Sequence, residues 1–175
     1  MREKLRGIII TGFMGTGKTA VGKSLSRRLG MEFVDLDDEI EIEAGMGITE
    51  IFSQVGESGF RDVEKRTLRK VLKIPGRVVS TGGGTVLAAA NLSLMKTYGM
   101  VICLWAKPEV VLKRIERSKD RPLLKEGDRL AIIAKLMEER RSQYLFAGRA
   151  IITDDRSVED ISTEIASIWR ESVDG

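Results

Sequence analysis

Gly12–Thr19 reads GFMGTGKT, a match to GxxxxGKT. It lies between the apolar run Ile8, Ile9, Ile10 and a segment in which Val21, Leu25 and Leu29 recur at helical spacing before Gly30. A buried strand, a glycine turn and an amphipathic helix in that order are the setting a phosphate-binding loop requires. Gly12, Gly15 and Gly17 let the backbone curl so that successive N–H groups converge on phosphate oxygens, and the new helix aims its positive dipole end at the same point. Lys18 is placed to bridge the terminal phosphates of a nucleotide, and the Thr19 hydroxyl to ligate Mg²⁺. A glycine-rich turn with a solvated lysine is the competing reading, and the flanking strand and helix weigh against it.

Outward from the loop, five apolar strand candidates (5–11, 32–36, 77–80, 100–105 and 150–153) alternate with helical patterns at 18–29, 37–44, 49–72, 88–98, 108–117, 129–147 and 157–171. Such alternation predicts an α/β protein in which a five-stranded parallel sheet is covered by helices on both faces. At 175 residues the chain suits one domain with a substantial core. Hydrophobic residues at 42% and charged ones at 31% are ordinary for a globular protein, and 29 basic against 26 acidic side chains leave a net charge of only +3. That near balance, without an array of aromatic residues for stacking, argues against nucleic acid as a partner.

One cysteine, Cys103, excludes an internal disulfide framework and a thiolate metal site, and fits a reducing compartment. No histidine is present, so the usual neutral-pH base is missing and carboxylates, lysine and arginine must perform any chemistry. With no apolar signal core after MREKLRG and no stretch of membrane-spanning length, a cytoplasmic protein without membrane contact is expected.

In an open parallel sheet, ligands bind beyond the carboxyl ends of the strands. Strand two ends in Asp35, Leu36, Asp37, and alternation sends both aspartates the same way, toward the loop. One could hold a water of Mg²⁺ while the other meets an acceptor hydroxyl; alternatively Asp37 or Asp38 caps the next helix. Strand three runs into Ser80, Thr81, Gly82, Gly83, Gly84, where three glycines suggest close approach of a small ligand, or a flexible turn. Arg61 and Arg140 could complete an anion site, although Glu57 and Glu64 could pair with Arg61, and the run EERR around Arg140 resembles a solvated helix face. The charged segment 118–128, SKDRPLLKEGD, is longer than a usual connection, which favours a water-excluding lid from which Arg121 closes over the phosphates.

Taken together, GFMGTGKTAVGKSLSRRLG, DLD, ITEIF, GESGFRDVE, STGGG, RPLL and RRSQY resemble shikimate kinases, small members of the nucleoside monophosphate kinase-like P-loop group. The resemblance spans essentially the whole chain. It implies a three-layer α/β/α P-loop NTPase fold with strand order 2-3-1-4-5, a mobile lid at about 118–128 and a substrate-binding helical region at about 37–65. It further implies that ATP is held by Gly15, Thr16, Gly17, Lys18, Thr19 and Ala20, by Arg121 from the lid and by Arg156 on the adenine side. Mg²⁺ would be held through Thr19 and Asp35.

Shikimate is implied at Asp37, Arg61, Gly82, Gly83, Gly84 and Arg140. Arg140 rather than Arg141 fits the pattern RxxxY ending at Tyr144. Asp37, Lys18 and Arg121 are the implied catalytic residues, transferring the γ-phosphoryl group of ATP to the 3-hydroxyl of shikimate on the way to aromatic amino acids. An aspartate of ordinary acidity is a weak base near neutrality, so orienting that hydroxyl is its main expected task. A monomer with ATP and shikimate as its only partners is expected. A kinase for gluconate or a nucleoside monophosphate, and a nucleotide-binding regulator without activity, are the alternatives; FR, STGGG and RPLL oppose the first, and Asp37 with Lys18 and Arg121 opposes the second.

Overall fold

The computed structural model describes residues 7–117 and 128–174. Its order is β1 (Gly7–Gly12), α1 (Lys18–Leu29), β2 (Glu32–Asp35), α2 (Leu36–Ala44), α3 (Ile48–Leu72), β3 (Arg77–Ser80), a 3-10 turn (Thr85–Leu87), α4 (Ala89–Tyr98), β4 (Met100–Trp105), α5 (Pro108–Arg117), α6 (Arg129–Ala147), β5 (Arg149–Ile152) and α7 (Val158–Asp174). The strands form one sheet in the order β2-β3-β1-β4-β5, parallel throughout. This is the order expected from the resemblance.

Period-two alternation in β1 separates the two faces of the sheet. Ile8 and Ile10 join Val21, Leu25, Ile161 and Ile165 under α1 and α7, whereas Ile9 joins Leu68, Met95, Met137 and Tyr144 under α3, α4 and α6. Fully burying a side chain such as Leu25 contributes about 1.5–3 kcal/mol. The core therefore lies in two apolar layers on either side of the sheet. Among the described residues no helix is long and apolar enough to cross a membrane.

Two expectations about the helices change. The pattern at 49–72 predicts one continuous helix, but Gly56 interrupts α3 with φ 68° and ψ −174°, a conformation open essentially to glycine alone. Hydrophobic spacing persists across the break because both segments bury one face, so periodicity alone conceals it. At the start of α2, Asp35 is the N-cap: its Oδ1 accepts from the Asp37 N–H at 3.1 Å. Neither Asp37 nor Asp38 caps the helix, and Asp37 sits in its first turn instead of continuing the strand.

Glu43 ties α2 to the second segment of α3. Its carboxylate accepts from Arg66 Nε at 2.7 Å, from Thr67 Oγ1 at 2.8 Å and from Lys70 Nζ at 2.8 Å. These bonds, Lys70 foremost and then Arg66, hold its pKa down to about 2 from an ordinary 4.5. A carboxylate whose pKa is depressed on folding stabilises the protein above its unfolded pKa, and the contribution fades as pH falls through the folded value. Arg66 and Lys70 are exposed, which weakens the tie through solvent screening. Glu43→Gln is therefore expected to lower Tm by about 2–4 °C near neutrality. Thermal melts of both proteins should converge between about pH 4.5 and 2; a difference that persists at the acid end would remove the charge explanation.

Candidate active site

Because β3 pairs with β1, the segment after Ser80 lies beside the phosphate loop, and the Thr81 N–H donates to the Ile10 carbonyl at 3.0 Å. Gly12, Gly15 and Gly17 have φ of 143°, 76° and 98°, the left-handed backbone the loop reading requires. The buried Thr16 hydroxyl closes the loop by donating to the Phe13 carbonyl at 2.8 Å. Lys18, in the first turn of α1, folds over the loop and donates from Nζ to the Gly12 and Phe13 carbonyls at 2.9 and 3.0 Å. Ala20 follows in the same helix, one residue beyond Thr19.

Thr19 Oγ1 donates to Asp35 Oδ2 at 3.2 Å, so the two residues expected to serve Mg²⁺ are adjacent. One hydroxyl and one carboxylate beside a phosphate loop suit Mg²⁺, which is commonly held by few protein oxygens together with substrate phosphates and water. Among the described residues no cluster of three His, Cys, Asp or Glu side chains forms a separate metal site. Cys103 is buried on β4, and burial pushes its thiol up to about 12 against the opposing pull of Lys18. That keeps it neutral and excludes it as a nucleophile.

The glycine turn after β3 meets both expected acid ligands. A Cβ built on Gly82 would lie 2.9 Å from Asp37 Oδ1, and one on Gly84 would lie 2.8 Å from Arg61 Nη2. Asp37 and Arg61, from two different helices, thus flank one short turn.

Arg61 pairs with Glu64 at 3.0 Å and less closely with Glu57 at 3.6 Å. Glu64 is 1% exposed and is itself fixed by Thr85 Oγ1 at 2.8 Å and Asn91 Nδ2 at 3.2 Å. The Arg61–Glu64 pair therefore exists, as the structural alternative holds, yet it aims the guanidinium at the turn. The Arg61 Cζ lies 5.3 Å from the centroid of Phe60, which stacks on Phe52 at 4.4 Å, giving the guanidinium an apolar neighbour.

Across the turn, Tyr144 of α6 is fully buried and donates to the Gly83 carbonyl. Burial raises its pKa, while Arg140, which hydrogen-bonds the same phenol, pulls the other way. Arg140 therefore stands one helical turn before an anchor of the site. Arg141 is exposed and pairs with Glu138 at 3.6 Å.

Arg156 is turned onto α7, pairing with Glu164 at 2.7 Å and donating to the Ile152 carbonyl at 3.3 Å. Arg121 and the rest of the expected lid at 118–127 lie outside the described residues; Asp128, its last residue, caps α6 by accepting from the Ala131 N–H at 3.1 Å.

Sequence reasoning passed over Arg114. From α5 it donates to Thr153 Oγ1 at 2.9 Å and to the Thr153 carbonyl at 2.8 Å, and reaches the Gly15 and Thr16 carbonyls at 3.4 Å. It joins the phosphate loop to the end of β5. No spacing signal marks it, because its partners are about 40 and 100 residues away and are backbone groups in part. Glu64 and Tyr144 were legible only as an ion-pair partner and a motif end.

The shikimate kinase family model matches residues 14–170. The chain is 46% identical over 166 residues to a shikimate kinase of Geobacter sulfurreducens, covering 95% of this chain and 92% of that protein. It is 42% identical to one from Caldanaerobacter subterraneus, covering 92% and 94%. Among solved structures, shikimate kinase from Acinetobacter baumannii in complex with shikimate superposes with a TM-score of 0.86 at 35% identity, covering 94% of this chain and 92% of that one. A gluconokinase from Sinorhizobium meliloti superposes at 0.65 with 14% identity and shows a common fold only. With the phosphate loop, the DLD strand end and the glycine turn in place, the match over nearly the whole chain establishes that it belongs to the shikimate kinase family.

Proposed function

We propose that the protein transfers the γ-phosphoryl group of ATP to the 3-hydroxyl of shikimate, giving shikimate 3-phosphate and ADP. The observation that carries this reading is the placement of Asp37 and Arg61 against one glycine turn that lies beside the phosphate loop. A hydroxy acid needs a carboxylate site and a hydroxyl site held apart by the width of its ring. Arg61 and Arg140 offer guanidinium forks to the carboxylate, a planar bidentate match that lysine does not provide. Asp37 accepts a hydrogen bond from the attacking hydroxyl, orients its lone pair and takes its proton late in the transfer.

Phosphoryl transfer passes through a loose transition state, so positioning and charge stabilisation do most of the work. Gly15 to Ala20 bind the phosphates through backbone N–H groups, and Lys18 leaves the loop carbonyls for the phosphate oxygens. Arg121 is the lid cation of this reading, and Arg156 its adenine-side residue. Thr19 and Asp35 would hold Mg²⁺, which when bound would neutralise charge on the phosphates. The near balance of charge fits small-molecule partners, and a monomer in the cytoplasm is part of the proposal.

Purified protein with ATP and Mg²⁺ is expected to release ADP when shikimate is supplied, and at a background rate with gluconate or a nucleoside monophosphate. A coupled ADP assay over that panel checks it. ADP release with gluconate and none with shikimate would transfer the assignment to the other kinase.

A further inference from the structure

We infer that Gly82 and Gly84 are positioning residues, each keeping clear the volume that one substrate-binding side chain occupies: Gly82 for the Asp37 carboxylate, Gly84 for the Arg61 guanidinium. The inference rests on the reading above, in which those side chains meet the hydroxyl and the carboxylate of the acceptor. A run of three glycines invites the explanation that the backbone needs a left-handed conformation. It does not: none of the three is among the positive-φ residues, and Gly84 sits at φ −92°, ψ −10°, where alanine is at ease. What excludes a side chain is space.

A Cβ on Gly82 would stand 2.9 Å from Asp37 Oδ1 and 3.4 Å from Thr85 Oγ1, and one on Gly84 would stand 2.8 and 3.1 Å from the two terminal nitrogens of Arg61. Gly83 differs, because its Cβ would meet only ordinary contacts at 3.7 Å, to the Gly12 carbonyl, the Met14 nitrogen and Tyr144 Oη. At Gly82 and Gly84 the clashing atoms include the far ends of flexible side chains, so the fold yields cheaply. The ends that yield are those that hold substrate. Arg61 has little freedom to yield without leaving Glu64, which Thr85 and Asn91 pin from within the core. An alanine at Gly82 is mild for stability and severe for function, whereas one at Gly84 also strips the buried Glu64 of its cation.

The two glycines are therefore expected to fail differently. Gly84→Ala should raise KM for shikimate roughly tenfold or more while kcat falls less than about threefold; Gly82→Ala should lower kcat roughly 10–100-fold with a smaller change in KM, since a displacement near 1 Å at a reacting group costs about that much. KM for ATP should stay close to the parent value in both, and Tm in Gly82→Ala, whereas Gly84→Ala should lower Tm because it leaves the buried Glu64 without its cation. Because Gly84 acts through Arg61, adding Gly84→Ala to Arg61→Ala should change nothing further. Independently of any substrate, a crystal structure of unliganded Gly84→Ala should show Arg61 Nη1 out of hydrogen-bond reach of Glu64. Additive losses in the double variant, the same kinetic profile for both glycine variants, or Arg61 unmoved in the crystal would each overturn the inference. Activity of the parent protein on shikimate tests the proposed reaction separately.

Discussion

Asp37→Asn is expected to lower kcat about 10²–10⁴-fold with ATP affinity unchanged. Asparagine keeps the size of the side chain, so the fit against Gly82 survives, and the N-cap of α2 is untouched because Asp35 supplies it. What is lost is the negative charge and the ability to accept the hydroxyl proton. If orientation dominates, Asp37→Ala, which cannot hold the hydroxyl at all, falls further than Asp37→Asn; if proton acceptance dominates, the two are alike. Steady-state kcat together with calorimetric titration of ATP reads both. Turnover in Asp37→Asn above about a tenth of the parent value would show that another group orients the acceptor, since the loss would fall short of the general acid–base range.

Lys18→Met is expected to lower kcat/KM for ATP about 10²–10³-fold, the range seen when one preorganised charge-stabilising donor is removed. Lys18 donates to the Gly12 and Phe13 carbonyls, which holds the ammonium over the loop. Methionine preserves much of the apolar stem and removes the charge. The acid site proposed at Asp37, Arg61 and Arg140 lies on other elements, and shikimate binding followed without nucleotide should be unaltered. Lys18→Arg should not restore the parent rate, because a planar fork does not replace a compact ammonium at a site shaped by backbone amides. Normal ATP kinetics in Lys18→Met would remove the lysine from the transfer step.

The position of this site on the molecule follows from local signals. GFMGTGKT carries its own turn, dipole and charge, and Lys18–Leu29, Arg77–Ser80, Met100–Trp105 and Pro108–Arg117 begin and end where the pattern of apolar residues and punctuating Gly and Pro places them. Asp35 was legible as a strand-end carboxylate beside the loop, and its contact with Thr19 accords with that. The same local view failed where two groups close in sequence compete for one task. Asp35, Asp37 and Asp38 are chemically interchangeable as caps, and only the path of the chain into α2 gives the cap to Asp35 and leaves Asp37 for the turn.

A chain of this composition and motif order determines by itself that a parallel sheet carries a phosphate loop at its carboxyl edge, because strand alternation, glycine content and helix starts are properties of neighbouring residues. Tertiary structure alone decided that Arg61 is aimed by a buried Glu64, that Arg114 joins the loop to the end of β5, and that Gly82 and Gly84 are small on account of Asp37 and Arg61. The Arg61–Glu64 spacing is local, but the partners that bury and fix Glu64, those of Arg114 and the neighbours of the two glycines lie about 20 to 100 positions away, where the determining quantity is the space left once separate helices have packed onto the sheet, and no periodicity along the chain encodes it.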